Sequence, residues 1–255
     1  MSDDGQPIAL AREGSIAKIG IQTGRKLNTF TGREWTALLD TLAVIEGQED
    51  VRVLVLHGTD EAGFSAGANL QDLAERSGRG QFSLVNDATR TVARLAGLPF
   101  PTIAAINGAA VGGGLELALA CDFRVASADA KLGLPELRLG LLPGLGGTQR
   151  LGRLVGQGLA RYLLFSGLIL TGADAFRMGL VEILSGDEGP LAAAMEIARR
   201  IAGHDAGVLR IAKALLSQAS ESSLENGLLM ERFGQGLLMS KPEQVQRTQD
   251  RAPPV

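Results

Sequence analysis

The chain has 255 residues, 45% of them apolar and 21% charged, with a formal net charge of −3. That length can bury a sizeable core, and the mild acidity, with no Lys/Arg-rich block, leaves no electrostatic footprint for nucleic acid. One cysteine, Cys121, excludes an internal disulfide framework and fits a reducing compartment.

The start, MSDDGQPIAL, has neither a basic region nor a long apolar run, so no secretory signal is expected there. Ser15 to Ile21 alternates and reads as a strand. Thr31-Gly32-Arg33-Glu34 fits a capping box, and Trp35, Leu38, Leu39, Leu42 and Ile45 follow at helical spacing. Val51 to Leu56 is a β-branched apolar run, read as a buried strand, and Gly63 to Asn69 is glycine-punctuated loop. Phe82 to Leu95 predicts a helix, and Thr102 to Ile106 a strand running into a glycine turn and a helix of about ten residues. The stretch Leu98 to Cys121 is weakly charged, but Pro99, Pro101, Asn107 and Glu116 interrupt it, so it reads as strand–turn–helix and not as a membrane span. Phe123 to Ala126 and Lys131 to Leu134 are short extended pieces, and helices are expected after Gly147, at Thr171 to Asp174 and through most of the text beyond Leu191. The tail Arg251 to Val255 is expected to be loose. Strands interleaved with helices, then helices alone, predict an α/β core with a C-terminal helical appendage.

Two carboxylates stand out. Glu116 lies between Leu115 and Leu117, and Glu136 follows Pro135, both near glycines. Burial raises a carboxyl pKa toward neutrality, where the group can give and take protons. The run Gly112-Gly113-Gly114 opens the expected helix, lets a ligand approach the backbone and offers free N–H groups to developing negative charge. Blander readings stand beside these: a hydrogen-bonded helix Glu, a turn Glu favourable to a helix dipole, and glycines used for tight packing. Gly144 to Gly147 lacks the Gly-Lys-Ser/Thr ending of a phosphate-binding loop. His57, at the end of VRVLVLH, reads as a strand-end residue, Cys121 as core, and the two histidines have no metal-ligand spacing.

Three blocks, GFSAGANL (63–70), INGAAVGGGLELALACDFRVAS (106–127) and LGLPELRLGLLPGLGGTQRL (132–151), together with Leu27-Asn28, give the chain its resemblance to the crotonase superfamily and, within it, to the enoyl-CoA hydratases. The resemblance implies a crotonase-like spiral of ββα units over residues 1–195 and a C-terminal helical oligomerisation region over 196–255, assembling as a homotrimer or hexamer. It implies an oxyanion hole made by the Ala68 and Gly113 amides, with Glu116 and Glu136 as the acid/base pair that adds water syn to a trans-2-enoyl-CoA. It places coenzyme A, as part of the substrate and with no separate cofactor, against Arg25, Lys26, Leu27, Ala66, Ala68 and Leu70. Arg25 and Lys26 fit a solvated basic loop equally well. Gly144 to Gly147 would shape the pocket near Glu136, with Phe82, Leu84 and Leu142 as candidate acyl-chain wall. A cytoplasmic enzyme without membrane or nucleic-acid partners is expected. An isomerase, another acyl-CoA hydrolase or lyase, and a non-catalytic acyl-CoA-binding subunit are the alternatives. The chain departs from the family at Asn69, where Asp is usual, in a first loop without proline, and in a tail lacking the terminal aromatic–basic pattern.

Overall fold

The computed structural model describes residues 6–59, 62–240 and 242. The apolar pattern explains its main layer. Strands β1 (Ile8–Glu13), β2 (Ile16–Ile21), β3 (Val53–Gly58) and β4 (Thr102–Ile106) lie side by side, and β6 (Phe123–Ala126) and β9 (Ile183–Leu184) complete a six-stranded sheet. Only the β1–β2 pair is antiparallel; the other neighbours run parallel. Parallel strands are covered on both faces, which is why the central ones read as unbroken apolar runs. Val53, Val55, Ile103, Ala105 and Val125 face α8 (Gly189–Ala202) through Ala194, Met195 and Ala198. Leu54, Leu56, Ala104 and Ile106 point the other way, into the larger core with Trp35, Leu38 and Leu42 of α1 (Gly32–Glu46).

A second, three-stranded sheet holds β5 (Ala109–Val111), β7 (Lys131–Gly133) and β8 (Leu170–Thr171). The chain alternates between the sheets: β4 then β5 then α4 (Gly113–Leu119), and β6 then β7 then a 3-10 turn (Glu136–Leu139) before α5 (Gly147–Val155). After β3 the same step is made by Ser65, whose parallel bridge to Ala110 replaces a full strand. These successive turns form the ββα spiral. Between the turns run α2 (Leu70–Glu75) and α3 (Gly78–Ala96), and α6 (Gln157–Ser166) and α7 (Gly172–Arg177) follow α5.

The capping box forms as read: Glu34 accepts from the Thr31 backbone N–H at 2.7 Å. Helix α3 starts earlier than Phe82, at Gly78, since its first turn, Gly-Arg-Gly-Gln, carries no apolar signal. The helix after the glycine turn has seven residues instead of about ten, because the chain must re-enter the sheet at Phe123. Strands β1, β5, β8 and β9 escape the sequence reading: β1 is an edge strand mostly exposed, and the others are two or three residues long.

The chain divides into two compact units between Ala202 and Gly203, so α8 continues through residue 195 and belongs to the first unit. In the second unit α9 (Ala206–Gln218) packs on α10 (Leu224–Met239). Among the described residues no helix is long and apolar enough to cross a membrane. The expected loose tail, Arg251 to Val255, lies outside the described residues.

Candidate active site

Register builds the site. Ser65 bridges Ala110, and Ala110 pairs with Leu132 across β5 and β7. Three residues beyond these partners stand Ala68, Gly113 and Pro135, with Glu136 next and Glu116 one helical turn along α4. The sheet ladder thus delivers the predicted groups to one place from three turns of the spiral.

The two predicted amides are neighbours. A Cβ placed on Gly113 would lie 3.7 Å from the Ala68 nitrogen, and one placed on Gly67 would lie 2.5 Å from the Gly113 nitrogen. Gly67 also has φ +77°, so both conformation and space demand glycine there. Among the described residues neither the Ala68 nor the Gly113 N–H has a hydrogen-bond acceptor. Gly113 opens α4, where the first N–H groups have no partner within the helix.

Glu116 is buried, at 2% exposure, on α4. Its Oε1 accepts from the Leu145 and Gly147 amides, each at 2.7 Å. Burial pushes its pKa above the usual carboxylate value, and those two amides and the charge of Arg150 oppose the rise. Arg150 in turn donates from Nη1 to the Leu145 carbonyl at 2.8 Å, bracing the turn that holds Glu116. The turn 144–147, expected to shape the surroundings of Glu136, therefore serves Glu116 directly. Its signal in the sequence was only a cluster of glycines, and main-chain donors leave no residue-type signature.

Glu136 is the opposite case. Both of its carboxyl oxygens are buried, and among the described residues neither has a hydrogen-bond partner. Burial raises its pKa to about 7; its own backbone amide opposes the rise, and the nearby Glu116 charge adds to it. A Cβ on Gly112 would come within 3.3 Å of Glu136 Oε1, so the glycine turn also makes room for this acid. One carboxylate is anchored and the other is left bare.

The residues expected at coenzyme A gather less completely. The Ala66 N–H donates to the Leu27 carbonyl at 2.8 Å, which joins those two segments. Arg25 is turned inward: Nε donates to the Thr29 carbonyl at 3.0 Å and Nη2 lies 2.5 Å from Glu34. Lys26 is exposed, and Leu70 opens α2 with 55% exposure. Asn69, the departure from the family pattern, caps α2 by accepting from the Asp72 N–H at 2.9 Å. Of the candidate wall residues, Phe82 and Leu142 are exposed, whereas Leu84 is core: it belongs to the buried stripe of α3 with Ala88, Val92 and Leu95. Thr89 on α3 donates to the Gly144 carbonyl at 3.3 Å, tying that helix to the turn behind Glu116. Cys121 is buried, as read, and His57 Nδ1 lies 3.0 Å from the Gly58 carbonyl at the end of β3. Among the described residues no group of three His, Cys, Asp or Glu side chains could hold a metal ion.

An α/β spiral whose successive turns bring paired main-chain amides beside two acids with buried carboxyl oxygens is the architecture of the crotonases. The enoyl-CoA hydratase/isomerase family profile matches residues 11–247, and the chain belongs to that family. It is 42% identical over 217 residues to YngF of Bacillus subtilis, spanning 85% of this chain and 84% of the relative. To the short-chain-enoyl-CoA hydratase of Clostridium acetobutylicum it is 33% identical over 240 residues, spanning 93% and 91%. The crystal structure of an enoyl-CoA hydratase from Bacillus anthracis superposes with a TM-score of 0.92 at 35% identity, covering 98% of each chain. The protein is thus an enzyme of the hydratase/isomerase type, for which an acyl-CoA thioester is the fitting substrate class.

Proposed function

We propose that this protein is an enoyl-CoA hydratase that adds water syn across the 2,3 double bond of trans-2-enoyl-CoA to give 3-hydroxyacyl-CoA. The observation carrying the reading is the contrast between its acids: Glu116 is tethered by two amides, and Glu136 is unpartnered with a pKa of about 7. That contrast suits a base and an acid acting on one water. The ionised Glu116 takes a proton from the water as its oxygen bonds to C3. The π electrons move onto the thioester oxygen, which the Ala68 and Gly113 amides receive as an enolate. The protonated Glu136 then gives its proton to C2. Proton exchange returns Glu116 to its ionised form and Glu136 to its acid form, and the net change is one water added. Each amide aimed at an enolate oxygen is worth about 3–4 kcal/mol of barrier. The reaction as written uses side chains, amides, water and substrate alone.

Coenzyme A is proposed to lie along Leu27, Ala66, Ala68 and Leu70, with Lys26 the freer of the two basic residues for a phosphate. Assembly through the C-terminal helices belongs to the same proposal, supported by the exposed Leu228, Leu229, Met230, Phe233 and Leu237 of α10. Sedimentation equilibrium tests it, a trimer or hexamer being expected.

The second reading, an enoyl-CoA isomerase, needs only one acid to shuttle a proton between carbons. Steady-state assays on 2-enoyl-CoA thioesters of rising chain length, with product analysis, separate the two. 3-Hydroxyacyl-CoA supports hydration; double-bond migration alone supports isomerisation.

A further inference from the structure

We propose that Asn28 is a positioning residue for this reaction, fixing through Ser65 the backbone on which the Ala68 amide is laid. The inference rests on the oxyanion reading above and deepens it. Asn28 is buried, at 1% exposure, and its side chain is fully engaged. Nδ2 donates to the Ile21 carbonyl at 3.0 Å and to the Gly63 carbonyl at 2.9 Å, while Oδ1 accepts from the Thr23 N–H at 3.0 Å. One amide group thus clamps the end of β2, the loop after it and the start of the 63–70 loop.

The clamped backbone is unusual. Leu27 and Asn28 have φ of 58° and 47°, a left-handed region that side chains other than Asn and Asp enter reluctantly. Two such residues in succession persist only where the surroundings over-determine them. In that conformation residues 27–30 form a template for residues 65–69. The Leu27 carbonyl accepts from Ala66 N–H at 2.8 Å, and the Asn28 carbonyl accepts from Ser65 Oγ at 2.9 Å. Ser65 Oγ in turn accepts from Gly67 N–H at 3.0 Å. Phe30 N–H donates to the Gly67 carbonyl at 2.8 Å, and the Phe30 carbonyl accepts from Asn69 N–H at 2.8 Å.

The peptide between Gly67 and Ala68 is planar and trans, so its C=O and N–H point in opposite directions. Holding the Gly67 carbonyl on Phe30 therefore turns the Ala68 N–H away from Phe30, to the side where Gly113 stands. Asn28 touches no reacting atom in this scheme. It acts by removing the freedom of the donor that does.

The test compares Asn28→Gly, which keeps the left-handed backbone and removes the clamp, with Ser65→Ala, which removes only the bridging hydroxyl. Both are assayed for kcat and KM on a trans-2-enoyl-CoA. The red shift of a conjugated enoyl thioester on binding is read in parallel, because it reports how strongly the carbonyl is polarised. The expected result is a loss of about 10- to 100-fold in kcat, KM changed less than about threefold, and a smaller red shift, as for a misplaced catalytic group. The pH midpoints should stay put, since neither acid is touched. A folded variant with wild-type kcat and an undiminished red shift would overturn the inference; if Asn28→Gly does not fold, Ser65→Ala decides alone. A wild-type protein that binds the thioester without any red shift overturns the oxyanion reading, and this inference with it.

Discussion

Gly67 and Gly113 approach so closely that a single methyl group on Gly67 would sit 2.5 Å from the Gly113 nitrogen. Gly67→Ala must therefore push apart the Ala68 and Gly113 amides, in addition to straining a residue at φ +77°. We expect kcat/KM to fall by about 10²-fold or more, the cost of losing one oxyanion donor. Steady-state kinetics beside a thermal melt checks this; a folded variant with unaltered kcat/KM would remove Gly67 from the argument.

In the proposed hydration Glu136 carries the proton given to C2, and burial raises its pKa to about 7. Activity should therefore decline as pH rises through about 7. The limb belongs in the kcat/KM profile, which reports the free enzyme. Glu136→Gln should lose about 10²- to 10⁴-fold in kcat while still binding acyl-CoA, and its residual rate should lack that limb.

The same carboxyl makes stability depend on pH. Glu136 is protonated more readily folded, at about 7, than unfolded, at 4.5. Its contribution is fully present below the unfolded value and is lost as pH rises through about 7, a swing on the order of 3 kcal/mol at 1.36 kcal/mol per tenfold step. Glu136→Gln has no such swing. Denaturant melts should show the variant gaining on the wild type between pH 4 and pH 8, and a constant difference would contradict the burial of this acid.

Glu116→Gln keeps an oxygen able to accept from Leu145 and Gly147 but has no basic form. The fold should survive, with kcat down by about 10²- to 10⁴-fold and KM little changed. Circular dichroism and hydration assays together check this, since a loss of fold would make Glu116 a structural anchor and not a base.

Much of this was legible in the sequence. Glu116, between Leu115 and Leu117, declared its burial, and the capping box at Thr31 and the strand Thr102 to Ile106 declared themselves by residue type. What stayed hidden is main-chain work. The amides of Leu145 and Gly147 carry no side-chain signature, and the left-handed Asn28 looks in sequence like any turn asparagine. Short strands such as β5 and β8 exist because a neighbouring strand offers a ladder, and no local pattern records a partner.

The most direct measurement is incubation of a trans-2-enoyl-CoA with the wild-type protein in D2O, followed by NMR of the product. The account expects 3-hydroxyacyl-CoA with a single deuterium at C2, added on the same face as the C3 oxygen. A thioester recovered with its double bond moved, or returned unchanged, would contradict it.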